Sequence, residues 1–477
     1  MDKYMTLKEV CSVLRISRPT AYRWLHSGRL KGKRAGRAWL FARGDIEACV
    51  REAHAAYQTN PTTFTCGDLF SGAGGLSVGF EQVGFHTVFF NDIDEDCART
   101  FAHNFPNAKG FVSPIEQLTA GDVLRGTNLE STELDVLIGG PPCQGFSINA
   151  PVRSEKDERN NLFLHYVRLV LEGIRPKFAV LENVPGLVSM ARGKYLAAVC
   201  QAFERAGYRP VYRILNACHY GVPQERWRLI IVANRVGCDF QFPQPFCFSG
   251  ARPNFTGGRE LTYAFAVQKK GGTGQHFWLR KPISVAEAIS DLPPIPSGGG
   301  HDEQRYLDGP RSDYQRLLRR HSDVLWNHHC ANMARVNLER FEHVKPGGSW
   351  RDIPKELLPD GMKKARRSDH TRRYGRLDPD GLSFTIMTKC DPHWGTVVHY
   401  KQNRIISVRE AARFQSFPDT FRFLGSKPSQ YRQVGNAVAP MLAEALARQI
   451  GHALSAQALR PFLENPPKPV QHIISGR

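Results

Sequence analysis

Cys143 stands in the stretch GGPPCQGFS (139–147), behind two prolines and between glycines. Proline stiffens the backbone before the thiol and glycine loosens it afterwards, which presents a side chain at a fixed angle. A cysteine thiolate is a strong nucleophile once its pKa falls below the ordinary value of about 8.5. A buried apolar cysteine, the alternative, needs no such frame. Cys143 is therefore the candidate nucleophile.

A carboxyl and an amide, Glu182 and Asn183, follow the apolar run FAVL. A glutamate at the tip of a buried strand is shielded from water, which raises its pKa and suits it to donate a proton. Asn183 can hold a neighbouring loop through its amide. An ordinary surface glutamate is the alternative, and the apolar strand before it disfavours that role.

Two arginines, Arg226 and Arg228, lie where the apolar stretch LIIVA begins. Alternate residues of an extended strand face the same side, so both guanidinium groups can serve one site. Their planar, forked donors suit carboxylates and phosphates. The alternative is a solvated basic pair.

A glycine-rich turn, SGAGG (71–75), joins a strand-like segment to a helix-like one. Glycines let backbone N–H groups approach a ligand closely. Asp92 ends the next strand-like segment, HTVFFND, where a carboxylate can accept hydrogen bonds from both hydroxyls of a ribose. A merely tight turn and an exposed acidic tip are the alternatives.

These residues need elements that bring them together. Strand-like apolar stretches alternate with helical ones such as NLFLHYVRLVLEGI (161–174). This alternation predicts an α/β fold with a doubly wound parallel sheet. Ligands of such sheets bind at the carboxyl ends of the strands, where Asp92, Cys143 and Glu182 all lie. The sequence thus predicts one site for all three.

Six motifs in a fixed order resemble those of the C5-cytosine DNA methyltransferases. They are DLFSGAGG (68–75), PPCQGFS (141–147), LENV (181–184), HYGVPQERWRLIIVA (219–233), RIISVREAARFQSFP (404–418) and YRQVGNAVAP (431–440). The resemblance is good over about residues 63–240 and 400–455 and poor between them. It implies a Rossmann-like, S-adenosylmethionine-dependent methyltransferase domain with a mixed target-recognition domain.

Residue roles follow from this resemblance. The catalytic residues would be Cys143, Glu182, Asn183, Arg226 and Arg228. The S-adenosyl-L-methionine site would comprise Phe70, Gly72, Gly74, Gly75, Leu76, Asp92, Ile93, Ile115, Pro142, Asn436 and Ala437. One departure stands out: Ser113-Pro114-Ile115 occupies the place of an Asp-Ile pair whose aspartate contacts the adenine. We expect that backbone groups replace this contact with the adenine or that the contact is lost.

The implied chemistry is covalent catalysis on a cytosine flipped out of duplex DNA. Cys143 would add to C6 and so activate C5 for methyl transfer, while Glu182 engages N3. One arginine would contact the base O2 or the glutamate, and the other a phosphate. No metal is expected, because the cluster HHC (328–330) has no second ligand pair at zinc spacing and is interpreted as a loop or core feature.

Residues 1–55 form a separate basic unit with predicted helices at 5–14, capped by Thr6, at 17–28 and at 43–52, and two short strands within 29–41. It resembles the winged helix-turn-helix of the excisionase and MerR-like type. That resemblance implies contacts to DNA bases or phosphates from Arg18, Thr20 and Arg23, and to phosphates from Lys31, Lys33, Arg34 and Arg37. A protein-docking or autoregulatory module is the alternative.

The other predicted divisions are a first catalytic and cofactor-binding part (63–240), a loop-rich basic target-recognition region (241–400), a segment completing the catalytic domain (401–456) and a tail (457–477). The net charge of +19 over 477 residues favours a polyanionic partner, here double-stranded DNA. The expected role is DNA modification of the restriction-modification or phage type. A cognate restriction endonuclease is not inferable, and a monomer is expected.

The eleven cysteines contain no CxxC pair, which indicates reduced thiols in a cytosol. With the family resemblance, we expect a prokaryotic cytoplasmic enzyme associated with the nucleoid. No run of eighteen apolar residues predicts a membrane span, and the N-terminus lacks the apolar core of a signal peptide. The alternative functions are an RNA cytosine-C5 methyltransferase and a catalytically silent DNA-binding regulator. The basic recognition region and the front module disfavour an RNA cytosine-C5 methyltransferase, and the intact Cys143 and Glu182 disfavour a catalytically silent DNA-binding regulator.

Overall fold

The chain is described by a computed structural model over residues 4–7, 9–10, 25, 30–36, 38–45, 64–131, 133–142, 162–238, 240–250, 253, 255, 257–263, 280–369 and 372–464. It divides into two compact units. One comprises Met1–Thr63 and Leu454–Arg477, and the other comprises Phe64–Ala453. The division after residue 63 separates the basic N-terminal segment from the segment that carries the six motifs.

The first unit contains an antiparallel sheet of three strands in the order β1-β3-β2: β1 (Tyr4–Thr6), β2 (Gly32–Ala35) and β3 (Ala38–Ala42). The hairpin of β2 and β3 matches the two short strands predicted within 29–41. Thr6 and Glu9 cap each other reciprocally, since each backbone N–H donates to the other's side chain. Leu7, the residue after this cap, is helical, as the predicted N-cap requires, whereas Met5 before it pairs with Phe41 in the sheet and is buried.

The second unit is built on a seven-stranded sheet in the order β6-β5-β4-β7-β8-β10-β9. Its strands are β4 (Thr65–Leu69), β5 (His86–Asp92), β6 (Lys109–Val112), β7 (Val136–Gly139), β8 (Phe178–Asn183), β9 (Arg209–Asn216) and β10 (Trp227–Asn234). Strands β4 to β8 pair in parallel, as predicted. Strand β10 is antiparallel to both β8 and β9, so the sheet is mostly parallel with one reversed strand. The short connection 217–226 contains no crossover helix, so it returns the chain in the opposite direction.

Helices build the rest of the unit. They are α1 (Gly75–Glu81), α2 (Glu95–Asn104), α3 (Ala120–Thr127), α4 (Leu162–Leu169), α5 (Lys194–Arg205), α6 (Val285–Ile289), α7 (Asp313–Leu318), α8 (Arg335–His343), α9 (Asp360–Lys363), α10 (Val408–Phe414), α11 (Lys427–Asn436) and α12 (Pro440–Glu464), of which the residues up to Ala453 belong to this unit. A π-helix, Val170–Ile174, continues α4 and completes the helical stretch predicted at 161–174. No helix within the described residues has the length and apolar character to cross a membrane.

Short elements complete the second unit. Short 3₁₀ helices lie at Pro185–Val188, Met190–Gly193, Ala217–Tyr220, Arg259–Leu261, Trp350–Asp352 and Lys355–Leu357. Two small sheets pair β11 (Gly300–Gln304) with β12 (Leu325–His329), and β13 (Gly375–Arg376) with β14 (Thr396–Val398). Residues of the region 241–400 pack in two places. Val285 and Leu325 join a core with α10 and α11, whereas Phe341, Trp350 and Val398 belong to a separate cluster.

Candidate active site

The glycine-rich turn lies directly after β4, at the carboxyl edge of the sheet. Its backbone turns through left-handed conformations at Phe70, Gly72 and Gly74 before α1 begins. A Cβ at Gly72 would meet no atom within 4 Å, so open space adjoins this part of the turn. The turn therefore has room for a ligand beside its backbone, and its part in binding the cofactor stays a prediction. Leu76, in contrast, is buried inside α1.

Asp92 ends β5 beside the turn and fixes it in place. The Gly72 N–H donates to Asp92 Oδ2 at 2.8 Å, and the Asp94 N–H donates to Oδ1 at 2.8 Å. Burial raises the pKa of this carboxyl, and these two hydrogen bonds oppose the rise. Ile93, next in the chain, is 67% exposed. Asp92 thus contacts the turn beside its open space, and an exposed apolar residue follows it in the chain, a pair of side chains suited to the ribose and the adenine of a nucleoside.

The C-terminal motif packs against the same turn. A Cβ at Gly75 would lie 2.2 Å from the Val438 carbonyl oxygen, so only glycine permits this approach. Ala437 is buried in the core beside it, and Asn436 is exposed at the end of α11. The segment that returns from the far end of the chain therefore packs against the glycine turn, and its part in closing the cofactor pocket stays a prediction.

The loop that leads into Cys143 is held by the last residues of β8. Asn183 Nδ2 donates to the Pro141 carbonyl at 3.2 Å, and the Val184 N–H donates to Asn183 Oδ1 at 2.8 Å. A Cβ at Gly140 would lie 3.0 Å from Glu182 Oε2. Pro142 is half-buried at the end of this described stretch, and Cys143 itself lies outside the described residues.

Glu182 and Arg228 form an ion pair beneath this loop. Arg228 Nε lies 2.7 Å from Glu182 Oε1, and the side chains are 13% and 12% exposed. They lie on the adjacent antiparallel strands β8 and β10. Burial raises the pKa of Glu182, while the positive charges of Arg228 and then Arg226 oppose the rise. A shielded carboxyl with a raised pKa next to a fixed cation is suited to proton transfer.

Arg226 lies elsewhere in the same region. Its guanidinium donates to the carbonyl oxygens of Ile386, Gly435 and Ala437 at 3.2, 2.9 and 3.0 Å, and the residue is buried. These contacts join the strand that carries Arg228 to the C-terminal motif. In this arrangement Arg226 positions other groups, and Arg228 is the arginine that reaches the glutamate.

Two buried glutamines, Gln224 and Gln415, belong to this network and were missed by the sequence analysis. Gln224 Nε2 donates to Gln415 Oε1 at 2.9 Å, and the Ile386 N–H donates to Gln224 Oε1 at 2.8 Å. Gln415 Nε2 in turn donates to the Val434 carbonyl at 2.8 Å. Gln415 follows α10, which already contains Arg409, Glu410 and Arg413, so its polar character alone gave no signal in the sequence.

The other predicted residues lie further from this network. Ile115 is buried in the core between the sheet and its helices. Lys31, Lys33 and Arg34 are exposed on or beside β2 of the first unit. The predicted contacts Arg18, Thr20, Arg23 and Arg37 lie outside the described residues.

The histidine pair of the HHC cluster is buried in hydrogen bonds. One ring, that of His328, bonds to Ser407 Oγ at 2.9 Å and the Pro293 carbonyl at 2.8 Å. The other, that of His329, bonds to Gln430 Oε1 at 3.0 Å. Over the described part of the chain, no group of three or more His, Cys, Asp or Glu side chains is placed to hold a metal ion.

A sheet with one antiparallel strand, a glycine turn at its carboxyl edge and an acid ending the next strand define the class: an S-adenosylmethionine-dependent methyltransferase. A crystal structure from E. coli, described as a DNA modification methyltransferase encoded within a prophage, shares the fold. Its TM-score is 0.60 at 24% identity, over 82% of this chain and 99% of that one. Residues 64–452 match the family model of the C-5 cytosine-specific DNA methylases, and the chain belongs to that family.

Curated relatives agree over most of their length. Type II methyltransferase M.AgeI of Thalassovita gelatinovora is 33% identical over 81% of this chain and 99% of its own. Type II methyltransferase M1.HphI of Haemophilus parahaemolyticus is 33% identical over 84% of this chain and 90% of its own. Residues 4–54 match a helix-turn-helix domain model. The chain is thus a DNA (cytosine-5)-methyltransferase that uses S-adenosyl-L-methionine, preceded by a helix-turn-helix domain.

Proposed function

We propose that this chain methylates a cytosine flipped out of a specific duplex sequence, through a covalent adduct on Cys143. The observation that carries the proposal is the contact of Asn183 and Glu182 with the loop that leads into Cys143. The pairing of Glu182 with Arg228 at 2.7 Å adds a fixed cation. Nucleophile, acid and cation would then act on one pyrimidine ring at the carboxyl edge of the sheet.

The protein groups act in a definite order. The Cys143 thiolate forms an S–C6 bond, and the displaced electron pair moves toward N3, where Glu182 donates a proton. C5 thereby becomes an enamine carbon able to attack an electrophile. S-adenosylmethionine supplies, when bound, the methyl group that C5 takes up. Loss of the C5 proton to a base, return of the N3 proton to the Glu182 carboxylate and cleavage of the S–C6 bond then restore the aromatic ring and return the electron pair to sulfur.

Residues at the glycine turn would hold the methyl donor. Asp92, which accepts from the Gly72 N–H, would also accept from the ribose hydroxyls, and the exposed side chain of Ile93 would cover the adenine. The segment Asn436–Ala437 would close the pocket next to Gly75. Ser113 offers no carboxylate to the adenine, and its carbonyl accepts from Asn91 Nδ2 at 2.9 Å.

Sequence recognition would reside within the region 241–400. Its separate cluster around Phe341, Trp350 and Val398 supports a small recognition body there. Val285 and Leu325, which the same region contains, pack instead with α10 and α11. The surface that recognises the DNA sequence would therefore occupy only part of the region 241–400.

The N-terminal helix-turn-helix would bind a second DNA site. The exposed cations Lys31, Lys33 and Arg34 on its hairpin support phosphate contacts. Replacing these three cations with alanine should weaken binding to long DNA and reduce the salt dependence of that binding. Methylation of a short target duplex should be unchanged, and an equal loss of both activities would contradict a separate site.

The similarity to type II methyltransferases supports a role in restriction-modification or in phage-type DNA modification. The enzyme would act as a monomer on chromosomal DNA in the cytoplasm, where the thiols that the structure describes as free would stay reduced. Genome-wide bisulfite mapping of an expressing host would identify the target sequence.

The central test incubates the protein with labelled S-adenosylmethionine and duplex DNA or RNA. We expect label in DNA, its loss in Cys143→Ala, and a covalent complex with duplexes carrying 5-fluorocytosine at the target. Incorporation into RNA but not DNA would overturn the substrate. Full activity of Cys143→Ala would overturn the mechanism.

A further inference from the structure

Trp394 is 59% exposed, more than any other Phe, Tyr or Trp side chain among the described residues. Trp394 lies in a tight turn. Its backbone N–H donates to the Asp391 carbonyl at 3.0 Å, and the His393 backbone N–H donates to Asp391 Oδ1 at 2.8 Å. A single exposed apolar residue is common on protein surfaces and by itself indicates no function. Its neighbours give this indole a specific character.

Two consecutive arginines stack on aromatic rings at this turn. The Arg373 guanidinium carbon lies 4.9 Å from the centre of the Trp394 ring, and that of Arg372 lies 4.2 Å from the centre of the Phe384 ring. The His393 ring meets the indole edge-on at 5.1 Å between centres. The indole is thus fixed between cationic and aromatic neighbours, which lowers the entropy that a contact with a ligand would cost.

The segment 360–394 is basic in sequence, with eight Lys and Arg against five Asp. Its exposed cations are Lys363, Lys364, Arg366, Arg367, Arg372 and Lys389. Of these, Lys363 pairs with Asp360. An aromatic face among cations is the combination that binds nucleic acid, because cations contact phosphates and the ring stacks on a base.

The turn is joined to the catalytic network. A Cβ at Gly395 would lie 3.5 Å from Met387 Cε, and a Cβ at Gly435 would lie 2.5 Å from the Met387 carbonyl carbon. Arg226 donates to the carbonyls of Ile386 and Gly435 on either side of this contact. Arg226 lies two residues before Arg228, the arginine that pairs with Glu182. The loop that carries Trp394 is therefore connected through Met387 and Arg226 to the active site.

We propose that Trp394 contacts the DNA beside the target cytosine, stacking on a base that the flip leaves unstacked and so stabilising the flipped-out state. The inference rests on the proposed function, which requires extrusion of the cytosine. Extrusion costs unstacking and unpairing energy, and a base–aromatic stack can offset part of that cost.

The test compares Trp394→Ala with Trp394→Phe on a duplex that contains the mapped target sequence. Stacking of this kind predicts a fall in kcat/KM of about 5- to 150-fold for the alanine variant and near-normal activity for phenylalanine. Tyr212→Ala, which removes another exposed aromatic ring on the edge strand β9, is the matched control and should be unaffected. Unchanged kcat/KM in Trp394→Ala would overturn the inference.

Two further readouts separate stacking from a structural role. The defect should shrink when the base opposite the target is removed, because an unpaired cytosine is already easier to flip. With 2-aminopurine at the target position, the fluorescence gained on binding should be smaller in Trp394→Ala. An equal defect on paired and unpaired targets, with normal fluorescence, would overturn the inference.

If the wild-type protein does not methylate DNA at all, the proposed function is overturned, and the contact of Trp394 with DNA is tested separately. Fluorescence anisotropy with a duplex that contains an abasic site then decides: weaker binding by Trp394→Ala than by Tyr212→Ala supports the contact, and equal binding overturns it.

Discussion

Glu182 and Arg228 meet across two antiparallel strands at 2.7 Å, shielded from water on almost all sides. The pair sets the charge of the carboxyl that faces the loop to Cys143. Burial favours the neutral acid, and the guanidinium favours the carboxylate, so the proton affinity of Glu182 depends on both.

Removing the cation should therefore shift the pH profile. In Arg228→Met the pKa of Glu182 rises further, because the largest influence that lowers it is gone. The alkaline decline of kcat, where the acid loses its proton, should move to higher pH, while kcat itself falls about 10²- to 10³-fold from lost positioning. The measurement is kcat between pH 6 and 9.5 at saturating DNA. An unchanged alkaline limb would contradict this role of the pair.

Replacing Glu182 by glutamine should remove the proton donor while keeping the shape of the side chain. We expect kcat to fall about 10²- to 10⁴-fold, the usual range for a lost general acid, with little change in DNA affinity. Single-turnover methylation and binding assays measure the two effects. A loss confined to DNA affinity would indicate that Glu182 binds the substrate and does not donate the proton.

Asn183 should act through the loop that it holds. Asn183→Asp keeps the acceptor for the Val184 N–H but removes the donor to the Pro141 carbonyl. We expect roughly a 10-fold or larger loss of kcat, because misplacement of a nucleophile by about 1 Å is costly. The yield of covalent complex with 5-fluorocytosine should fall in parallel. Full trapping at the normal rate would show that the loop is held by other contacts.

Gly75 should tolerate no side chain. A Cβ there would lie 2.2 Å from the Val438 carbonyl oxygen, so Gly75→Ala must push the C-terminal motif away from the glycine turn. We expect KM for S-adenosylmethionine to rise and the melting temperature to fall, by an overpacking cost of about 1–3 kcal/mol. Gly361→Ala is the control, since a Cβ there meets no atom within 4 Å. Equal behaviour of the two variants would argue against the close approach.

Asp68 should make stability depend on pH. Burial raises its pKa to about 8, while Ser77 Oγ donates to Asp68 Oδ2 at 2.7 Å. Between about pH 4 and 8 the unfolded chain releases this proton and the folded chain keeps it, so the free energy of unfolding falls as pH rises through this window. Asp68→Asn removes the penalty.

The difference in free energy of unfolding between Asp68→Asn and the wild type should therefore grow from pH 5 to pH 8, by a few kcal/mol at most, about 1.4 kcal/mol per pKa unit. Denaturant titrations at the two pH values measure it. A constant difference would show that Asp68 ionises normally in the folded chain.

The sequence alone determined the class of the protein and most of its parallel sheet. Strand β10 at Trp227–Asn234 falls where the pattern places it, because a run of apolar residues has few other ways to be buried. The order of glycines, Pro-Pro-Cys and Glu-Asn also marks the carboxyl edge of the sheet, since motifs that end strands must meet there. Such features depend on local spacing, which the chain carries directly.

Only the tertiary structure decided which partner each polar group takes. Arg226 and Arg228 are alike in sequence, yet one binds the carbonyls of Gly435 and Ala437 and the other binds Glu182. Gln224, Gln415 and the indole of Trp394 gain their significance from residues more than 20 positions away or from the exposed surface on which they lie. Local spacing cannot specify contacts between residues so far apart in the chain. The antiparallel direction of β10 could not be predicted for the same reason, because the sequence indicates that a strand forms but only its pairing with β8 and β9 fixes its direction.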